Sequence, residues 1–417
     1  MLKQINHDKL LNRDFVLLWQ GMAFSAFGSI LYSIAIGYWV FESTGSTALM
    51  GMMSSITMFI MMLLGPFSGA LTDRMHRRNV LVVTDTVRGI IFLLIGYLAL
   101  NNRLDVTMVI IAAFVSGICG AFFSPAASSL FPDLLPIADV VRGQSIASGT
   151  DSLIRLIGSA VSGALIIALG VPILILANGL FYLFSAISEC FISPMRTKNQ
   201  TSAISASMIV KDLKDGAAFA LKAPGLSTMM ICALVINLFS SGFSTLLIAY
   251  VLSRGLNMIQ YGTIAAASSL GGLLGMLLIS VLKIKEAKRY TVSMTSFILS
   301  GFFMMIGLYL GDYYSLLIFF FIGQLTNSIG NALFNAAFIV YTPQEKRGMI
   351  TGFVTSASIG GSAFSALLYG LLGEIISLTT LGIVGNLLAV FPFIIIIMDK
   401  NTREIFKDQN RESPVVI

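Results

Sequence analysis

The chain has 417 residues, of which 56% are hydrophobic and 11% are charged, and its mean hydropathy is +0.88. Soluble domains carry about 25% charged residues, so this composition excludes an ordinary soluble protein and predicts a polytopic membrane protein. The net charge of +6 comes from basic residues in the polar segments between apolar runs. It therefore does not indicate a nucleic-acid partner.

Cysteine and histidine usage argues against metal and cofactor chemistry. The three cysteines lie inside apolar runs without metal-ligand or disulfide spacing, and both histidines, His7 and His76, lie outside those runs. A histidine metal site or proton relay within the bilayer is thereby excluded, and no cofactor is expected. Neither a nucleotide-binding Gly-x-x-x-x-Gly-Lys-Ser/Thr loop nor a nucleophile constellation occurs, so we expect neither an ATP-driven pump nor an enzyme.

Twelve apolar runs reach the roughly 20 residues that a membrane-spanning helix needs. They are residues 15–41, 47–71, 79–100, 104–126, 144–170, 172–193, 226–252, 258–282, 290–311, 313–340, 348–373 and 376–398. The fold class predicted from them is an all-α membrane protein with twelve transmembrane helices. The polar, basic N-terminus and the length of the first run argue against a cleaved signal peptide, so helix 1 is expected to be retained.

Most of the 26 lysines and arginines fall in alternate connections between these runs, and only Arg103 and Arg254 fall in the others. Because basic residues accumulate on the cytoplasmic side, the pattern predicts a multi-pass protein of the plasma or inner membrane with both termini cytoplasmic.

The longest connection divides the chain in two. We predict an N-terminal six-helix bundle at 1–193, a cytoplasmic linker at 194–224, a C-terminal six-helix bundle at 225–398 and a cytoplasmic tail at 399–417. Within the linker, Ser207–Lys222 has the spacing of an amphipathic helix lying on the membrane surface. Gly158–Ser162 in helix 5 recurs as Gly361–Ser365 in helix 11, which favours duplicated halves related by pseudo-symmetry.

The connection after helix 2 carries Gly69-x-Leu71-x-Asp73-Arg74-x-x-Arg77-Arg78. Its charge alone fits an ordinary basic cytoplasmic loop. Its full spacing resembles the signature loop of the major facilitator superfamily of transporters, with His76 where a second glycine is usual. The resemblance implies two six-helix bundles and a loop that switches between conformations. Gly69 would allow close backbone approach, Asp73 would face the N-terminus of helix 11, and the arginines would face water and lipid headgroups.

Further stretches resemble one branch of that superfamily, the macrolide-efflux and enterobactin-exporter-like proteins. They are Asn12–Trp19, Asp85-x-x-Arg88, Phe123-x-Pro125-Ala126 and Phe131–Pro136. In helix 5, Gly158 and Gly163 match the packing glycines of the antiporter motif. Ile154, Ser159 and Ser162 depart from that motif, and helix 4 has no arginine, which weakens the case for proton antiport.

Four ionisable residues are identified inside the spans, where charges are costly and candidates for function. Asp85 and Arg88, at i and i+3 in helix 3, predict a structural charge cluster. Asp151 and Arg155, at i and i+4 in helix 5, permit three interpretations, one of which is a pair exposed to lipid. They could form an internal ion pair, or Asp151 could carry the coupling proton while Arg155 sets its pKa.

The resemblance implies that helices 1, 4, 7 and 10 line a central cavity. Their polar residues are uncharged, and the substrate-cavity candidates are Gln20, Tyr32, Asn237, Gln324, Asn327 and Asn331. Asn327, Asn331 and Asn335 recur every four residues and would form one stripe of helix 10. The stripe could hydrogen-bond to another helix or form a polar wall of the pathway.

These features predict a secondary active exporter of hydrophobic or amphipathic compounds such as macrolide-type antibiotics, working by proton antiport with alternating access. A lysolipid or lipid flippase, or a siderophore exporter of the same fold, is the alternative. The expected partners are an amphipathic small molecule, protons and the lipid bilayer, and the protein is expected to be a monomer.

Overall fold

A computed structural model describes residues 10–72, 74–193, 226–282, 284–341 and 347–399. Within these ranges the chain forms twelve long helices, each long and apolar enough to cross a membrane, so the predicted fold class is confirmed. They are α1 (Arg13–Thr44), α2 (Thr47–Thr72), α3 (Arg77–Leu100), α4 (Val106–Asp133), α5 (Val140–Leu169), α6 (Val171–Cys190), α7 (Leu226–Ser253), α8 (Met258–Val281), α9 (Glu286–Leu310), α10 (Tyr313–Tyr341), α11 (Arg347–Gly373) and α12 (Leu378–Met398).

Capping residues determine where several of these helices begin and end. The Asp105 side chain accepts a hydrogen bond from the Thr107 amide at the start of α4, and hydrogen bonding to Thr107 lowers the pKa of this carboxyl group. At the ends of α5 and α9, Gly170 and Gly311 adopt φ of 77° and 70°. Only glycine enters this left-handed region without steric cost, so both helices stop there and the chain turns back.

The chain divides into two compact units. The first comprises the described residues of Met1–Ser43 and Ile56–Ile204. Its buried apolar residues join α1, α3 and α4, and α3 also packs closely against α6. A Cβ added to Gly179 of α6 would lie 2.8 Å from the Leu93 amide nitrogen, and one added to Gly89 of α3 would lie 2.6 Å from Leu183 Cδ2. The two helices therefore pack with their backbones close together, as small residues allow in membrane proteins.

The second unit comprises the described residues of Thr44–Ser55 and Ser205–Ile417. Here the backbone of α8 approaches that of α10, since a Cβ on Gly271 or Gly275 would collide with the carbonyl oxygen of Phe321 or Leu325. Stacked rings add to the core of this unit, and the centroids of Phe297 and Phe393 lie 4.4 Å apart.

The first turns of α2 belong to the second unit, whereas its remainder belongs to the first. The Thr47 hydroxyl donates to the Gly370 carbonyl at 2.9 Å, and a Cβ on Gly51 would collide with the backbone of α11 at Ala366. The predicted domain boundaries stay predictions. The linker at 194–224 with its amphipathic helix lies outside the described residues, as does all of the tail except Asp399.

Candidate functional site

The connection between α2 and α3 is tied to the ends of two other helices. Arg77 donates from Nη1 to the Ser129 carbonyl at 3.1 Å and also pairs with Asp133, near the C-terminus of α4. Arg78 Nη1 donates to the Ile192 carbonyl, just beyond α6, at 2.9 Å. Both arginines thus contact other helices, and the expectation that they also face water and headgroups stays a prediction. They bind helix C-terminal ends, where carbonyl groups and the helix dipole favour a cation.

The same connection also contains Asp73 and Arg74, and Gly69 lies just before it in α2. A Cβ added to Gly69 would meet no described atom within 4 Å, so the predicted close backbone approach is not seen there. Arg74 is exposed, and Asp73 lies outside the described residues. The proposed contact of Asp73 with helix 11, and the role of the loop as a conformational switch, stay predictions.

Asp151 and Arg155 form the expected pair along α5. Arg155 Nε donates to Asp151 Oδ2 at 2.9 Å, and the two side chains are 48% and 64% exposed. The preceding residue, Thr150, contacts α1, since its Oγ1 accepts a hydrogen bond from Trp19 Nε1 at 3.0 Å. Both charges lie on the open face of one helix, so within this unit the pair does not hold α5 to a neighbour.

Asp85 and Arg88 lie inside the first unit. Arg88 Nη1 is 3.6 Å from Asp85 Oδ1, and both side chains are buried. The guanidinium carbon lies 5.2 Å from the ring centroids of Phe123 in α4 and Tyr182 in α6. Such cation–π contacts stabilise a buried cation. The residues thus meet as predicted in a cluster that involves three helices.

A fifth ionisable residue belongs to this cluster and was missed from the sequence. Glu189, in the last turn of α6, is fully buried, and its carboxyl group is close enough to Asp85 for their charges to interact. Glu189 ends a buried polar row formed with Asn178, Tyr182 and Ser185. Their spacing of four, three and four residues places all of them on one helix face, and this was the signal available in the sequence.

Two of the cavity candidates contact other helices of the first unit. Gln20 Nε2 of α1 donates to Ser188 Oγ of α6 at 2.9 Å. The Tyr32 ring packs on Phe92 of α3, with ring centroids 4.5 Å apart. Both side chains face the α3–α6 side of α1, and the expectation that Gln20 and Tyr32 line a central cavity stays a prediction.

In the second unit, the asparagines of α10 form the predicted stripe. Asn331 Nδ2 donates to Asn327 Oδ1 at 2.7 Å and to the Asn327 carbonyl at 3.1 Å, while Asn331 and Asn335 are exposed. Their recorded hydrogen bonds thus run along α10 and not to another helix. Asn331 and Asn335 are exposed, and Asn327 is half-buried beside them.

The other two cavity candidates are half-buried. Asn237 of α7 donates from Nδ2 to the Ala233 carbonyl of its own helix at 2.9 Å and lies beside Gly361 of α11. Gln324 of α10 lies against Gly272 of α8. Both are close to helix–helix contacts, so Asn331 and Asn335 are more exposed than these two candidates.

Of the two packing glycines predicted in α5, Gly158 contacts α1. A Cβ there would lie 3.0 Å from Ile30 Cγ2, so this site tolerates little added volume. Gly163 is buried. No group of three or more metal-ligating side chains is found in the described part of the chain.

The first group of related proteins consists of efflux pumps. The chain is 27% identical over 164 residues to macrolide efflux protein A of Streptococcus pyogenes, a match covering 39% of this chain and 40% of that protein. It is 24% identical over 361 residues to the multidrug efflux pump Tap of Mycolicibacterium fortuitum, covering 83% and 86%. The match to the first of these thus spans about two fifths of that relative's length.

Solved structures with the same fold are also transporters. The nucleoside transporter NupG superposes with a TM-score of 0.75 at 11% identity, covering 93% of this chain and 100% of that one. A bacterial homologue of the iron transporter ferroportin superposes with a TM-score of 0.70 at 16% identity, covering 93% and 99%. Together with twelve membrane-length helices and a family model that matches residues 18–366, these similarities mean that the chain belongs to the Major Facilitator Superfamily.

Proposed function

We propose that this transporter is a secondary active exporter of hydrophobic or amphipathic compounds. The exposed asparagine face of α10 is the observation that carries the proposal. Asn331 and Asn335 offer neutral hydrogen-bonding groups on a helix whose surroundings are apolar. A pathway lined by apolar surface with a few uncharged polar groups suits a bulky amphipathic solute, and a small ion would need charged ligands. The efflux relatives support the same substrate class.

Proton antiport with alternating access is the mechanism we propose for this export. A charged pair that is half-exposed near the middle of α5 would be costly against lipid, so Asp151 and Arg155 are expected to meet water in the transport pathway. There, Asp151 could take up and release a proton, and Arg155 could hold the carboxylate once the proton has left. The protein is proposed to work as a monomer in the cell membrane, with both termini cytoplasmic.

Exposure of Arg155 also favours a second candidate within the same fold. Its guanidinium could receive an anionic group, so the transported compound could be a lysolipid or another acidic amphiphile. A lipid flippase would use the same apolar and asparagine surfaces, with the acyl chain remaining in the bilayer.

Transport by inside-out vesicles tests the proposal. A fluorescent macrolide or cationic dye should accumulate when a pH gradient is imposed, and accumulation should stop when an ionophore collapses the gradient. Addition of ATP without a gradient should have no effect. Accumulation driven by ATP alone would contradict secondary transport. A fluorescent lysolipid in the same assay decides the alternative, because a flippase would move the lipid and leave the dye outside.

Replacing the polar face tests the observation itself. Asn331→Leu should reduce dye accumulation several-fold, because it removes the outward amide while keeping the side-chain size. Thr295→Val, on the exposed surface of α9, is the matched control, since its hydroxyl is satisfied by its own helix. Equal transport by both variants would mean that the asparagine face does not line the transport pathway.

A further inference from the structure

The buried cluster between α3 and α6 contains one more acidic group than basic groups. Asp85 and Glu189 have no solvent exposure, and Arg88 is nearly as buried. Both oxygens of Asp85, and Oε2 of Glu189, have no hydrogen-bond partner. The Ser185 hydroxyl lies beside both carboxyl groups and donates to Glu189 Oε1 at 3.4 Å. Acceptors buried in this way are rare, and each requires an explanation.

The charge balance gives that explanation. Arg88 is 3.6 Å from Asp85 and can neutralise one carboxylate. If both carboxyl groups were ionised, the cluster would carry a net negative charge at a site without solvent exposure, which is energetically costly. One proton placed on either group restores neutrality and turns an unpartnered acceptor into a hydrogen-bond donor.

No other cation in the described part of the chain replaces this proton. From α1, the groups that face the cluster are neutral: Ser29, whose hydroxyl lies 2.8 Å from that of Tyr182, and Tyr32. From α4, Cys119 and the ring of Phe123 face Arg88. From α6, Tyr182 and Ser185 are neutral as well.

We propose that Asp85 and Glu189 form a proton-binding site inside the N-terminal bundle and share one proton at neutral pH. A proton fits better than a sodium ion. The cation nearest the unpartnered Asp85 oxygens is already Arg88, and a second full positive charge there would be repelled by the guanidinium. Acceptance of a proton also requires no coordination shell.

The position of Glu189 provides a way for the proton to exchange. Glu189 lies in the last turn of α6, next to Cys190, which is exposed. A small displacement of this turn would bring Oε2 into contact with water, whereas Asp85 stays between helices. If the export proposed above is proton-coupled, this site would carry or gate the coupling proton in addition to the pair on α5. Only this coupling step rests on the proposed function.

Infrared difference spectroscopy of the purified full-length protein tests proton binding without any transport. The wild type should show, at neutral pH, the carbonyl band of a protonated carboxyl group that shifts in D₂O. Glu189→Gln and Asp85→Asn should each lose the band, because the remaining carboxylate can then ionise beside Arg88. Arg88→Gln should gain intensity, since both acids then stay protonated. Glu42→Gln, an exposed glutamate on α1, is the control that should keep the band.

Two results would contradict the proposed proton-binding site. One is the absence of the band in wild type. The other is its loss on addition of sodium at constant pH, which would indicate a sodium site. Should the acidic variants misfold, Arg88→Gln still decides the question, because a band that gains no intensity in that variant would contradict the site.

Vesicle transport separates the site from the proposed function. If Glu189→Gln loses both the band and the dependence of dye uptake on the pH gradient, the coupling role is supported. If uptake stays gradient-driven while the band is lost, the coupling role is overturned and proton binding stands. If wild type transports no dye at all but shows the band, the proposed function fails and the proton site stands.

Discussion

Single side chains in the first unit occupy two environments that the sequence alone does not distinguish. Asp151 and Arg155 form a half-exposed pair on α5, whereas Asp85, Arg88 and Glu189 are buried between helices. All five lie in apolar runs. Only tertiary packing decides which charges are open and which are enclosed, and the two environments imply different experiments.

Asp151→Asn should abolish gradient-driven export, because the amide cannot release a proton. Unfolding should shift by no more than about 2 °C, since an exposed ion pair contributes roughly 0–1 kcal/mol. Proteoliposome transport and a thermal melt in detergent measure the two effects. Asp139→Asn is the matched control, because Asp139 pairs with Arg142 at 3.6 Å beside the same helix. Unchanged gradient-driven transport in Asp151→Asn would exclude this carboxylate as the proton carrier.

Residue-level prediction from the sequence succeeded for spacing and failed for helix rotation. The i,i+3 and i,i+4 pairs are found as expected because helix geometry fixes them. The contacts of Gln20 with α6 and of Tyr32 with α3 could not be predicted. Helix α1 is apolar on nearly all sides, so its periodicity does not define which face packs inward. Glu189 was overlooked because it is close to the end of its run.

At the scale of helices, glycines decide how closely backbones approach. Gly179 contacts the α3 backbone near Leu93, whereas Gly149 of α5 has no described atom within 4 Å of its added Cβ. One added methyl group is therefore expected to change the stability of the protein differently at Gly179 and at Gly149.

Gly179→Ala should destabilise the protein by about 1–3 kcal/mol, because the new methyl group would push α3 away from α6. Gly149→Ala should be neutral or stabilising by up to roughly 1 kcal/mol, since alanine favours the helix. Thermal unfolding of both variants in the same detergent measures the difference. Equal melting temperatures would mean that the α3–α6 contact is looser than described.

A second contact between elements joins Glu374, just after α11, to the start of α2. Its carboxylate accepts from the Ala48 amide at 2.9 Å and from the Ser46 hydroxyl at 2.7 Å. These hydrogen bonds, that from Ala48 first, lower the pKa of Glu374. A carboxylate at a helix N-terminus satisfies free amides and interacts favourably with the helix dipole.

This contact should depend on pH in a defined direction. Because the pKa of Glu374 is lowered in the folded protein, its contribution is complete above the ordinary glutamate pKa and is lost as the pH falls through the lowered value. Amide hydrogen exchange at Ala48 should show protection that decreases on acidification. Glu374→Gln should have low protection at every pH, and Glu42→Gln should behave as wild type. Protection that rises on acidification would contradict the assignment.

For the whole molecule, the number of membrane-spanning helices was the most predictable feature. Run length and hydropathy alone identified all twelve, since a bilayer demands that each span satisfy its own backbone. The two-unit division at Ser43 and Ile56 could not be read from the chain, because it depends on α2 packing against α11.

Orientation is testable by labelling single cysteines in a variant whose native cysteines are replaced by serine. His76→Cys, between α2 and α3, should react with a membrane-impermeant maleimide only in inside-out vesicles. Arg103→Cys, between α3 and α4, should react only in intact cells. Reaction of both positions from one side would contradict the predicted membrane topology. These sites are suitable since both residues are exposed in short connections.

The buried charged cluster between α3 and α6 has a consequence for insertion of the chain into the membrane. During synthesis, α3 enters the translocon with Asp85 and Arg88 well before the ribosome delivers Glu189. Helix α4 can cover Arg88 with Phe123, but until α6 arrives Tyr182, Ser185 and Glu189 are missing from the cluster, and lipid is a poor substitute. Release of α3 sideways into the membrane should therefore be delayed until its later partner has emerged. Membrane insertion of this half would then be a cooperative event, not a series of independent ones.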